Sequence, residues 1–233
     1  MHAALARLTV VVPVGPGDHL SPRLHAQLSV LPAAAQVHAV YADAAQADAI
    51  KSMLHAANGP QWQCLVAPRG RALQQNAGAA LASRDWLWFV HADALLAPGT
   101  LAALACFIEA EVDALGYFDL RFLDDGPALM RLNAVGAWWR SRVFGLPFGD
   151  QGLLLPRHAF ESLAGFDPEV ACGEDHDLVW RARRAGLPLQ AVGAVLYTSA
   201  RRYAERGWCA TTAWHLGETW RQARQFSRTQ TLR

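Results

Sequence analysis

Charge is scarce in this 233-residue chain and nearly cancels: 18% of residues are Asp, Glu, Lys or Arg, and the formal net charge is +1. A nucleic-acid partner is therefore not expected, because that function leaves a strongly basic footprint. Cysteine is also sparse. Cys64, Cys106, Cys172 and Cys209 lie tens of residues apart, a spacing that fits neither a zinc site nor a compact disulfide framework. A reducing cytoplasm is the simplest setting. No apolar run is long and clean enough to cross a bilayer, since the longest, residues 86–110, is broken by His91, Asp93, Pro98 and Glu109. The N-terminus lacks the basic start, apolar run and cleavage site of a signal peptide. Repeats, low-complexity tracts and flexible linkers are missing too. With 52% apolar residues, the composition is that of one well-buried domain rather than a disordered chain.

The first 112 residues alternate short apolar runs with Ala-rich segments of helical period. Strands are expected at 8–13, 37–41, 63–67 and 86–90, and helices at 18–31, 44–57, 71–82 and 98–112. This β-α-β-α order predicts a mostly parallel sheet with helices on both faces. Ligands of such sheets bind beyond the carboxyl ends of the strands, where Asp43 and Asp93 fall. After residue 113 the rhythm changes. Residues 115–122 alternate like a half-exposed, antiparallel strand. Residues 129–144 read as an amphipathic helix bearing an exposed-looking pair, Trp138-Trp139, near Arg140 and Arg142. Further strands are expected at 152–155 and 189–196, a helix at 174–185, and a helical tail from Tyr203. The whole reads as one α/β domain, residues 1–233, with a small antiparallel extension in its second half.

Several groups have the means for chemistry. Asp93 follows a buried strand with His91 two residues before it. Such a pair either caps the next turn or faces a cation together with phosphate oxygens. Glu174 and Asp175 open a helix. First-turn acids ordinarily serve the helix dipole, and that is the reading for Glu174. Asp175 lies over the apolar stripe of Leu178, Val179 and Ala182, so it points inward, where a carboxylate needs a partner or a task such as general base. Arg71, Gln74 and Asn76 form a helix face of amides and glycine suited to close ligand contact. Asp150-Gln151 between glycines, and Arg201-Arg202 after a strand, complete the set. Two adjacent arginines either neutralise a diphosphate or form a solvated turn.

The ordered set Val12-Pro13, Asp43, Gly70-Arg71-x-x-Gln74-x-Asn76-Ala77-Gly78, His91-Ala92-Asp93, Gly149-Asp150-Gln151-Gly152, Gly165-Phe166, Glu174-Asp175 and Thr198-Ser199-Ala200-Arg201-Arg202 resembles family 2 glycosyltransferases. More narrowly, it resembles the bacterial subgroup of radical-SAM/selenodomain-associated transferases, over residues 8–208. The resemblance implies a GT-A fold and inverting transfer of a sugar from a nucleoside-diphosphate donor. Residues 1–112 would bind the nucleotide sugar and 113–233 would serve the acceptor. It implies that Pro13, Val14, Asp43, Arg71, Asn76, Arg201 and Arg202 line the donor site. Asp93, with His91, would hold Mg²⁺ or Mn²⁺ and the diphosphate. Asp150 and Gln151 would lie on the acceptor side, with Asp175 as base beside Glu174. Two departures stand out. Val14-Gly15-Pro16-Gly17-Asp18 replaces the usual Asn-Glu, and His91-Ala92-Asp93 replaces Asp-x-Asp.

Three other readings compete with this one. A nucleotidyltransferase should carry a cation in the loop after the first strand, where Asp18 stands. A metal hydrolase would need His91, Asp93 and His176 to converge, although they lack compact ligand spacing. A binding protein that has lost its chemistry would have little use for both Asp93 and Asp175. The sequence does not identify the acceptor, which a bilayer would present if it were lipid-linked. Trp138-Trp139 and the Trp/Arg-rich residues 208–224 fit core packing or subunit contacts in a homo-oligomer better than a bilayer's inner face.

Overall fold

The computed structural model describes residues 1–51, 54, 59–170, 173–212, 217 and 221, apart from the side chains of Arg202 and Arg206. Strand β1 (Leu8–Val14) is buried along its full length, as its continuous apolar run requires. It pairs in parallel with β2 (Gln36–Tyr41) on one side and β4 (Trp86–Phe89) on the other, and β2 pairs in parallel with β3 (Gln61–Val66). Pro22 opens the intervening helix α2 (Pro22–Leu28), where its missing N–H costs nothing. Helices α3 (Ala44–Lys51), α4 (Arg71–Ala80) and α5 (Thr100–Glu109) follow, after a short N-terminal α1 (His2–Leu5). The expected continuation of α3 to residue 57 lies, Leu54 apart, outside the described residues.

The second half extends the same sheet. Its strands are β5 (Leu95–Leu96), β6 (Leu115–Phe122), β7 (Leu153–Pro156) and β8 (Leu189–Thr198), and the order across eight strands is β3-β2-β1-β4-β7-β6-β8-β5. β7 is antiparallel to both β4 and β6, while β6 and β8 are parallel to each other. The expectation of a half-exposed β6 is corrected here. Lying between β7 and β8, it buries Leu115 through Phe118 on both faces, and only its far end, at Arg121, is exposed. The helices of this half are α6 (Met130–Arg142), α7 (Arg157–Ser162), α8 (Glu174–Arg184) and α9 (Arg201–Arg206).

Alternation along β1 divides the core. Val10, Val12 and Val14 join a cluster containing Leu24, Leu28, Leu104 and Ile108, so α2 and α5 cover one face. Val11 joins Ala72, Ala79, Phe160, Leu178 and Ala182, so α4, α7 and α8 cover the other. Each fully buried Leu, Ile or Phe contributes about 1.5–3 kcal/mol relative to exposure. Both clusters draw side chains from both halves of the chain.

α6 departs from the amphipathic pattern read in its sequence. Its inward residues include Met130, Ala137 and Ser141, whereas Leu132, Val135, Trp138 and Trp139 face outward. Core packing for the tryptophan pair is therefore ruled out: Trp139 is 52% exposed. Trp214 and Trp220 of the tail lie outside the described residues. Among the described residues, no helix is long and apolar enough to cross a membrane.

Candidate active site

β1, β2 and β4 end at Val14, Tyr41 and Phe89, all on one side of the sheet. Because β7 runs against β4, with Leu153 opposite Phe89, the segment entering β7 returns to that same side. This segment is a single 3₁₀ turn, Gly149–Gln151. Gly152 turns it into the strand at φ 61°, and a Cβ there would lie 2.6 Å from Leu196 and 3.0 Å from Trp88. Only glycine meets both demands. α8 starts beside this turn, and α4 starts opposite α8. The carboxyl ends of the strands are thus ringed by the 3₁₀ turn and two helix N-termini.

Asp175 lies at the centre of this ring. Its carboxylate accepts a hydrogen bond from the Gly149 amide. Burial pushes its pKa up, but His176, the Gly149 N–H, Arg71 and His91 outweigh burial and hold it below the ordinary carboxylate value. Asp175 is therefore ionised at neutral pH. Glu174 is drawn in further than a dipole-serving acid would be. It is 8% exposed and faces the Arg71 guanidinium at 3.8 Å. Burial, then the Asp175 charge, push its pKa up. Asp150 is shifted the same way by burial, partly offset by Arg140, and its Oδ1 has no hydrogen-bond partner. One acidic group biased toward its anion beside two biased toward their protonated forms is the division that acid–base chemistry uses.

Arg140 organises this floor. It donates from Nε to the Leu146 carbonyl at 2.9 Å and from Nη2 to Gln151 Oε1 at 3.1 Å. Gln151 in turn donates to the Phe118 carbonyl at 2.9 Å and accepts from the Phe148 amide at 3.2 Å. The Arg140 guanidinium carbon sits 3.0 Å from the Phe148 ring centre, and the His176 ring centre sits 3.4 Å from it. Two groups that close cannot share one face, so they sandwich the phenyl ring. Burial lowers the Arg140 pKa to about 10, against the opposing pull of Asp150 and Asp175. Arg140, Phe148 and His176 were not read from the sequence as one unit. The available signal was Arg140 itself, which shares the inward face of α6 with Ala137 and Ser141.

Other candidates stand elsewhere or do other work. Asp43 caps α3, its Oδ1 accepting from Ala45 N at 2.8 Å and Gln46 N at 3.2 Å. Pro13 and Val14 are buried strand residues, and the Val14 carbonyl accepts from Gln74. Asn76 spends both ends of its amide on Phe166, donating to its carbonyl at 2.7 Å and accepting from its N–H at 2.9 Å. It serves as a clamp between α4 and the loop before α8. Arg201 is exposed, 3.8 Å from Glu205 on its own helix, and the Arg202 side chain lies outside the described residues. Asp93 is exposed after β4, in a turn closed by Ala94 N–H to the His91 carbonyl at 3.1 Å. Among the described residues, no three His, Cys, Asp or Glu side chains gather into a ligand set. The convergence that a metal hydrolase would need is therefore missing from them.

No family model and no curated protein matches the chain. Solved structures do match its fold. One is the mannosyltransferase PcManGT from Pyrobaculum calidifontis in complex with GDP-Man and Mn²⁺, with TM-score 0.59 and 19% identity, covering 81% of this chain and 56% of that one. Another is S. aureus TarS 1–349, with TM-score 0.60 and 14% identity, covering 82% of this chain and 60% of that one. TarS 1–349 in complex with UDP-GlcNAc matches with TM-score 0.58 and 13% identity, over 83% and 58% of the two chains. This chain spans about three-fifths of the length of these neighbours. The architecture is GT-A-like, a mixed α/β sheet flanked by helices.

Proposed function

We propose that this chain transfers a sugar from a nucleoside-diphosphate donor to an acceptor hydroxyl, with inversion at the anomeric carbon. The observation that carries this reading is the Asp175 carboxylate, kept ionised despite burial at the carboxyl ends of the strands of a GT-A-like sheet. It is supported by nucleotide-sugar complexes among the structural neighbours. We read the chain as one domain, with residues 1–112 serving the donor and 113–233 the acceptor. Asp175 takes the proton of the attacking hydroxyl, and Glu174 holds Arg71 beside it. Asp150 meets the acceptor, while Gln151, fully buried with both ends of its amide engaged, holds the floor beneath it. Asp43, just past the end of β2, meets the nucleotide, with the buried Pro13 and Val14 of β1 lying beneath it, and Arg71 and the Arg201-Arg202 pair serve its phosphates.

A divalent cation, Mg²⁺ or Mn²⁺, fits the donor set in one way. Asp93 is an exposed carboxylate with His91 two residues earlier, and no third described side chain joins them as a ligand. Two protein ligands do not cage a resident metal, but they suffice for a cation completed by diphosphate oxygens. When bound, such a cation stabilises the negative charge of the departing diphosphate. The nucleotidyltransferase rival is disfavoured by the loop after β1. There the Asp18 carboxylate folds back over Gly15, to within 2.8 Å of where its Cβ would be, so the loop carries an acid where such an enzyme would carry a cation.

The test is a thermal-shift screen of nucleoside diphosphates and their sugars with and without Mn²⁺, followed by a product assay with the stabilising donor. Metal-dependent stabilisation and acceptor-dependent release of nucleoside diphosphate are expected. Pyrophosphate as the product, or no stabilisation by any of these compounds, would sink the proposal.

A further inference from the structure

α6 is packed the opposite way from an ordinary surface helix. Its inward face carries Ala137, Ser141 and Met130, and its outward face carries Leu132, Val135, Trp138 and Trp139, continued past its end by Val143 and Phe144. Leu132 is 60% exposed and Phe144 63%. Scattered apolar side chains on a surface need no explanation, but a contiguous helix face of this size marks an interaction site.

Its charge identifies the partner. Between Asp125 and Asp150 the sequence has no carboxylate, whereas Arg131, Arg140 and Arg142 all fall in that interval. Arg140 turns inward to Phe148, but Arg131 is exposed at one end of the face. Arg142 stands at the other end in contact with Asp119, and Arg183 reaches the carbonyls of Phe144 and Gly145 beyond it. An apolar surface with tryptophans at its centre and arginines at its ends matches a bilayer interface. There indole rings sit at headgroup depth and cations meet anionic lipid. Two copies of the face would fit each other poorly, because a twofold contact sets Arg131 of one against the Arg142 end of the other, where Asp119 is already engaged by Arg142.

We infer that the outward face of α6 docks on an anionic lipid surface. Through Arg140 the same helix carries the floor of the candidate active site, and residues 143–148 run directly from this face into the 3₁₀ turn. Docking would therefore present the acceptor side to molecules held in the bilayer. That last step rests on the transferase reading; the docking does not.

Flotation with vesicles of phosphatidylcholine, with or without about one-third phosphatidylserine, tests it. The chain should float with the anionic vesicles and remain at the bottom with the neutral ones. Leu132→Asp with Trp139→Asp should lower the bound fraction about tenfold or more, because carboxylates are driven to the headgroup region or out of it. Both positions face outward, so the melting temperature and the donor-induced thermal shift of this variant should match those of the parent. Arg131→Glu should weaken binding to the anionic vesicles alone. Equal flotation with both vesicle types, or none with either, would overturn the inference. So would a dimer in light scattering that the double substitution dissociates without any flotation of the parent. A missing donor shift with intact flotation would count against the transferase reading only.

Discussion

Burial opposes ionisation of Asp175, and its neighbours reverse that outcome: His176, the Gly149 N–H, Arg71 and His91 all favour the anion. A residue in that state can accept a proton but not donate one. Asp175→Asn keeps the shape and removes the acceptor. Turnover should fall by about 10²–10⁴-fold while donor affinity is retained, as steady-state kinetics paired with donor titration would show. Asp93→Ala should do the converse to donor binding. Calorimetry should find that Mn²⁺ strengthens donor binding to the parent but not to the variant.

The inward aim of Asp175 was legible because Leu178, Val179 and Ala182 repeat at helical spacing beneath it, and all three are fully buried. The burial of Glu174 was not. Its partner Arg71 sits on a different helix, and nothing local distinguishes it from a solvated first-turn acid. Asn76 was misread for a related reason: an amide on a lysine-free helix face suits a ligand and a backbone clamp equally well, and the deciding partner, Phe166, is 90 residues away.

His38 makes a residue-scale prediction about stability. Its ring is fully buried, Nδ1 lies 2.7 Å from the Gly78 carbonyl and so donates to it, and Nε2 has no partner. Burial lowers its pKa below the ordinary value, with the Gly78 bond opposing weakly. The unfolded chain therefore takes up a proton here before the folded one does. Stability should be complete above about pH 6.5 and should fall as the pH drops below it, by at most about 1.4 kcal/mol per pH unit from this group. Urea midpoints at several pH values should show this slope, and His38→Asn, which retains a donor but does not titrate, should flatten it.

At the scale of elements, α4 is fixed to its surroundings along its length. Gln74 Nε2 donates to the carbonyls of both Val14 and Val40, His38 holds the Gly78 carbonyl, and Asn76 holds Phe166. A Cβ at Gly78 would lie 2.5 Å from Val11 Cγ1 and 3.0 Å from Val40 Cγ2, so the helix rests on the strands at backbone distance. Gly78→Ala should cost about 1–3 kcal/mol by overpacking, despite the better helix propensity of alanine. It should also displace Arg71 at the other end of the helix. Chemical denaturation measures the first effect, and a weaker donor-induced thermal shift the second.

The strands were readable where burial on both faces makes the run continuous, as in β1. β6 misled because Asp119 and Arg121 give its far end an alternation that its buried beginning lacks. α6 misled because helical period reveals that two faces exist, but which of them meets the core depends on the volume left above β6. That space accepts Ala137 and Ser141 beside Tyr117, whose hydroxyl donates to the Ser141 carbonyl at 3.3 Å.

At the scale of the molecule, the pairing of β4 with β1 on one side and β7 on the other has a consequence for any attempt to divide the chain. Residues 1–112 and 113–233, to which we assign the donor and the acceptor, are not separate in folding. A fragment of residues 1–112 would leave one side of β4 without hydrogen-bond partners and would strip Leu153, Leu154 and Leu155 from the clusters they complete. An open, flat, apolar strand with no charge on it is a template for pairing with other chains. Expressed alone, this fragment should aggregate. Co-expression with residues 113–233 should restore a soluble complex, because the missing strand is then supplied in trans. Sedimentation of the fragment with and without its complement measures both.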